Sequence, residues 1–124
     1  MGTYLAIALG GALGAVSRFW LGLHVEKFNT TNFPWGIFTV NVLGSLLIGI
    51  LFVLFTERPA LDVYRPLLTV GFLGGLTTFS TFSLDALLLF QQGLYNTALF
   101  YVLSSVVLCL GAAFAGMLLA RGLL

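Results

Sequence analysis

Charge is what this sequence has least of. Asp, Glu, Lys and Arg make up 7% of its 124 residues, four of them acidic and five basic, against about 25% in a soluble domain. Such a chain cannot cover a water-facing surface. Its net charge of +1 suits neither a nucleic acid nor a polybasic contact with lipid. A single cysteine, Cys109, excludes an intrachain disulfide and leaves the redox compartment unreadable. A single histidine, His24, sits at the edge of an apolar block, and carboxylates are few. No nucleophile–histidine–acid set, zinc-type ligand spacing or aspartyl dyad can be assembled, so no enzyme is expected. No charged stretch precedes the first apolar run, which is therefore expected to be a retained span and not a cleaved leader.

What the sequence has in plenty is hydrocarbon. Hydrophobic residues reach 60% and mean hydropathy is +1.10, so the chain is expected to be an all-α integral membrane protein. Its length holds about four spans of roughly 20–25 residues and little else. The few charges fall between four apolar blocks, at about 2–23, 35–55, 66–90 and 94–120, and 1–124 reads as a single four-span domain. Pro34 and Pro66 suit the first turns of the second and third spans. Four spans put both termini on one side. Arg58, Arg65 and Arg121 then face Lys27, joined by Arg18 if its long side chain snorkels that way. So weak a bias in positive charge permits insertion in both orientations.

The third block contains the most informative run, Gly71–Ser83. It carries three glycines, five hydroxyl residues and three phenylalanines inside what otherwise reads as a membrane helix. Each glycine or hydroxyl residue lowers helix propensity or competes for the backbone. Freed backbone groups are tolerated in a membrane only where protein or water satisfies them. The run predicts a helix broken mid-membrane, and such breaks tend to be ion or substrate sites.

Polar residues also recur four apart, on shared helix faces. Gly10, Gly14, Arg18 and Gly22 form one line, either a packing seam or, at Arg18, a functional charge. Asn41 heads another with Gly44, Ser45 and Gly49, and reads either as interhelical glue or as the lining of a polar path. Thr97, Tyr101, Ser105 and Cys109 form a third, able to line an aqueous file or to bond back to the helix's own carbonyls. Phe79 and Phe82 share a face beside Ser80 and Thr81. Such rings are either core or, by their positive edges, partners for an anion. Asp85 is the only carboxylate placed well inside a block. A proton-coupled exporter of lipophilic cations would need it and is the rival reading.

The run Gly74–Ser83 resembles the signature of the Fluc (CrcB-type) fluoride channels, small four-span proteins of bacteria. Gly10, Gly11, Gly14 and Arg18, the stretch Val40–Gly44, and the overall length agree with it. The resemblance implies an antiparallel, dual-topology homodimer in the cytoplasmic (inner) membrane, with two pathways that export fluoride passively and keep its intracellular level low. It implies that Phe79, Phe82 and Asn41 face fluoride, that Ser80 and Thr81 accompany them, and that Tyr101 and Ser105 form a polar track. It further implies that the backbone carbonyls of Gly74 and Thr77, with their copies in the partner, hold a structural sodium ion at the dimer centre. Cys109 stands where some members carry serine, and Asp85 where many carry glutamate.

Overall fold

The computed structural model describes residues 2–124. All regular structure among them is helical: α1 Gly2–Lys27, α2 Trp35–Glu57, a 3-10 turn at Pro59–Tyr64, a π-helical run at Pro66–Leu73, α3 Gly74–Leu76, α4 Phe79–Gln91 and α5 Tyr95–Leu123. Four stretches are long and apolar enough to cross a membrane: Gly2–Lys27, Trp35–Glu57, Pro66–Gln91 and Tyr95–Leu123. The chain is an all-helical, multi-pass membrane protein.

The helices run past the apolar blocks. The first continues through His24 to Lys27, beyond its expected end near residue 23, because nothing there breaks a helix and two basic groups in the last turn suit its negative end. α2 stops at Glu57 before Pro59. The polar connection that follows is wound into a 3-10 turn, not left irregular. Arg65 closes it with a 2.6 Å ion pair to Asp62 and lies 5.3 Å from the centre of the Phe55 ring.

Small residues let the helices touch backbone to backbone. A β-carbon on Gly10 would collide with the Leu67 carbonyl, and one on Gly14 with the Phe72 carbonyl, so α1 lies directly on the first half of the third span. Gly49 and Gly116 do the same between α2 and α5, against the carbonyls of Ala113 and Leu46. The line from Gly10 to Gly22 therefore divides. Its first two glycines are a packing seam, while a β-carbon on Gly22 would meet nothing within 4 Å; Gly22 lines a cavity together with Arg18.

Two buried clusters take in the two halves of the interrupted third span. One gathers Phe33, Phe82, Ala86, Leu89, Ala98 and Tyr101, and the other Val40, Leu73 and Leu76. Beyond them the chain exposes large apolar side chains along α1 and α5, among them Leu13, Phe19, Val107 and Phe114. In water such a surface would aggregate; it suits lipid or another membrane helix.

The third span is interrupted at two threonines, not at its glycines. Thr77 (φ −88°, ψ 154°) and Thr78 (φ −150°, ψ 121°) are extended between α3 and α4. Gly71, Gly74 and Gly75 all remain helical, and Gly93, in the turn after α4, is the one described residue with positive φ. Branching at Cβ makes threonine tolerant of extended backbone, and its hydroxyl can replace a lost helical bond. Thr77 uses both devices on one acceptor, donating its N–H (3.0 Å) and its hydroxyl (2.9 Å) to the Leu73 carbonyl. Thr78 caps the restarted helix, its hydroxyl accepting the Thr81 N–H at 3.2 Å.

Candidate functional site

The interruption is held from outside by α2. The Asn41 amide oxygen accepts the Thr78 N–H at 2.8 Å, and the Asn41 amide nitrogen donates to the Thr78 carbonyl at 3.1 Å. One side chain thus satisfies both backbone groups of an extended residue, as a neighbouring strand would. Around this point the Thr78 hydroxyl lies 3.2 Å from the hydroxyls of Ser80 and Thr81. These three hydroxyls form a local network at the start of α4.

Phe79 and Phe82 begin the same helix, with ring centroids 5.4 Å apart. Phe79 is 78% exposed and Phe82 only 8%. Together with Asn41 and Ser105 they line one cavity of about 240 Å³, which Cys109 also borders. Its walls are mostly apolar. Next to it lie two buried hydroxyls. Tyr101 Oη and Ser105 Oγ are buried and have no hydrogen-bond partner in the protomer. Buried polar groups are rarely left so. A hydroxyl can rotate its proton toward whatever occupies the space. Tyr101 itself does not border the cavity; it stacks behind Phe82 at 5.1 Å.

Thr81 turns the other way. It borders a wide opening of about 810 Å³ with Arg18, Glu26 and Asp85. Arg18 has no carboxylate within ion-pair distance; among described residues Asp62 and Arg65 form the one salt bridge. Glu26 is occupied. Its carboxylate accepts the Gly36 N–H at 2.7 Å and the Asn29 side-chain amide at 2.8 Å. It therefore caps the positive end of α2 from across the connection.

A third cavity, about 220 Å³, lies on the opposite side of the break and is bordered by Asn41, Ser45, Thr69, Gly74 and Thr77. The break releases a backbone acceptor beside it. Thr77 N–H goes to Leu73, and Thr78 N–H goes to Asn41. Neither closes the Gly74 carbonyl, which would take the Thr78 N–H in a continuous helix. Hard cations prefer such oxygen ligands. Among the described residues no group of three His, Cys, Asp or Glu side chains could form a transition-metal centre.

The candidate residues of the sequence thus fall into three neighbouring places. Asn41, Phe79, Phe82 and Ser105 share the apolar cavity; Thr81 opens to the charged mouth; Gly74 and Thr77 lie with Asn41 beyond the break. Ser80 is exposed and joins the group through Thr78. Two positions that hold the site together escape sequence reasoning. Thr78 carried a signal, a good capping residue immediately before a restarted helix, yet its position inside a dense hydroxyl run masks it. Glu26 carried none, because the helix it caps begins after an intervening connection.

A model of the family described as CrcB-like protein, Camphor Resistance (CrcB), matches residues 5–117. The chain is similar to proteins named fluoride-specific ion channel FluC. That of Magnetococcus marinus is 49% identical over 116 residues, covering 93% of this chain and 94% of the relative. Those of Agrobacterium fabrum (45% over 118 residues, 94% of each chain) and Hahella chejuensis (50% over 119 residues, 93% and 91%) are comparable. With a four-span helical fold and a match along nearly its whole length, this chain belongs to the CrcB-like family.

Proposed function

We propose that the protein is a fluoride channel of a bacterial cytoplasmic membrane, letting fluoride leave the cell passively. The observation that carries this reading is the pair of buried, unpartnered hydroxyls, Tyr101 and Ser105, beside the Phe79–Phe82 pair. Fluoride is small and strongly hydrated, so a path must replace its water with donors. Hydroxyls and an amide do this without a full positive charge, which lets the ion leave again. Ring edges of Phe79 and Phe82 add partial positive charge. Asn41 spends one amide proton on Thr78 and keeps a second. Ser80 and Thr81 extend the hydroxyls toward the mouth, where Arg18 attracts anions.

The working unit in this reading is an antiparallel homodimer inserted in both orientations, with the break near the membrane midplane. The exposed apolar faces of the protomer and its balanced charge support it. A sodium ion held by the carbonyls of Gly74 and Thr77 is supported by the loss of their helical donors: the Thr78 N–H goes to Asn41 and the Thr81 N–H to the Thr78 hydroxyl. When bound, sodium would neutralise carbonyl charge where two broken helices meet. Cation export by proton exchange is disfavoured. Asp85 lies at the charged mouth with Glu26 and Arg18 and does not border the Phe79–Phe82 cavity.

The test is efflux from proteoliposomes. With a potassium ionophore balancing charge, fluoride should leave and chloride should stay. Release that needs a proton gradient, or equal release of chloride, would refute the channel reading.

A further inference from the structure

Asn41 occupies a position that its expected role as a donor to fluoride does not explain. It borders the cavity of Phe79 and Phe82 and also the cavity of Gly74 on the far side of the break. Its amide oxygen and one amide proton both go to the backbone of Thr78. Two consequences follow from the geometry. The Thr78 N–H, pulled onto Asn41, is unavailable to the Gly74 carbonyl, its partner in a continuous helix. The Thr78 side chain, fixed at the same time, caps α4 through the Thr81 N–H and so sets the direction in which Phe79 and Phe82 leave the helix.

We infer that Asn41 is a positioning residue that holds the break open. Through Thr78 it keeps the Gly74 carbonyl free on one side and orients the phenylalanines on the other. An apolar side chain at this position would leave two backbone groups unpaired in a half-buried place. The break would then lose its fixed geometry: the Thr78 N–H has no lasting partner, and the Gly74 carbonyl is no longer held in place for a cation. The two cavities are therefore coupled. What stabilises the open break on one side stabilises it for the other by the same factor. This coupling to a cation rests on the sodium reading above; the clamp on Thr78 does not.

The experiment is amide hydrogen exchange on the purified, membrane-reconstituted protein, with thermal stability followed against sodium chloride at constant ionic strength. In Asn41→Ala, exchange at Thr78 should rise about ten-fold or more, as expected for loss of one buried hydrogen bond. Exchange at Thr81, whose N–H the Thr78 hydroxyl accepts, should rise with it, while the other amides of α2 and α4 keep their rates. The sodium concentration giving half of the maximal stabilisation should rise by a comparable factor. Reduced fluoride flux with Thr78 exchange unchanged would overturn the inference and leave Asn41 as a direct donor. Wild-type protein that sodium does not stabilise would end the sodium reading, while Thr78 exchange still decides the clamp. Should Asn41→Ala not fold, Asn41→Ser gives the same comparison. Its hydroxyl can serve an anion but is too short to span both Thr78 groups. Faster Thr78 exchange supports the clamp, and wild-type exchange overturns it.

Discussion

The rings of Phe82 and Tyr101 lie with centroids 5.1 Å apart and planes inclined at 51°, and the Tyr101 hydroxyl beyond them is buried without a partner. The ring carries the packing and the hydroxyl carries the chemistry, so the two can be separated. Tyr101→Phe keeps the aromatic contact and removes only the hydroxyl. Its thermal stability should match or slightly exceed that of the wild type. Fluoride efflux should fall about ten-fold, the size expected for losing a hydrogen bond to a charged group. Unchanged efflux, measured with a fluoride electrode, would take Tyr101 out of the pathway.

Phe79 and Phe82 differ in burial, so isoleucine should affect them differently. Phe79 is 78% exposed in the protomer, and Phe79→Ile should leave the melting temperature nearly unchanged. Phe82 is 8% exposed and belongs to the cluster with Phe33 and Tyr101. Phe82→Ile should cost about 1–2 kcal/mol, as reshaping a packed core does. If ring edges meet the anion, both variants should lose most of their flux despite this difference in stability. Flux that simply tracks stability would mark the rings as packing.

Glycine substitutions separate fold from assembly. A β-carbon on Gly14 would strike the Phe72 carbonyl, whereas one on Gly74 meets only the Thr69 oxygen at 3.9 Å. Gly14→Ala should therefore prevent α1 from seating on the third span and abolish folded protein. Gly74→Ala should leave the protomer's helices intact while weakening dimerisation and the response to sodium. Helicity by circular dichroism and dimer content by cross-linking distinguish the two. A fully folded Gly14→Ala protein would contradict the close approach.

Orientation can be read directly. In a Cys109→Ser background, Leu124→Cys places a thiol at the exposed C-terminus. An impermeant thiol reagent should label about half of the molecules from outside intact cells, with the rest labelled after lysis, as weak charge bias allows. Labelling from one side alone would exclude the antiparallel assembly.

The sequence by itself determined the membrane class, the number of spans and the stretch in which the third span is interrupted. These depend on summed quantities, such as apolar length against bilayer thickness or the density of weak helix formers in Gly71–Ser83, which need no knowledge of neighbours. It did not determine where the helix breaks. The glycines that drew attention stay helical because α1 lies on Gly71 and Gly75. The break falls on Thr77 and Thr78, where Leu73 and Asn41 offer partners to the freed groups. Nor could spacing along one helix decide what Asn41 bonds, which way Thr81 turns, or that Glu26 caps α2. Each of those depends on a group from another segment arriving within hydrogen-bond distance. Such bonds act over about 3 Å, and tertiary packing alone brings residues 37 positions apart, such as Asn41 and Thr78, to that range.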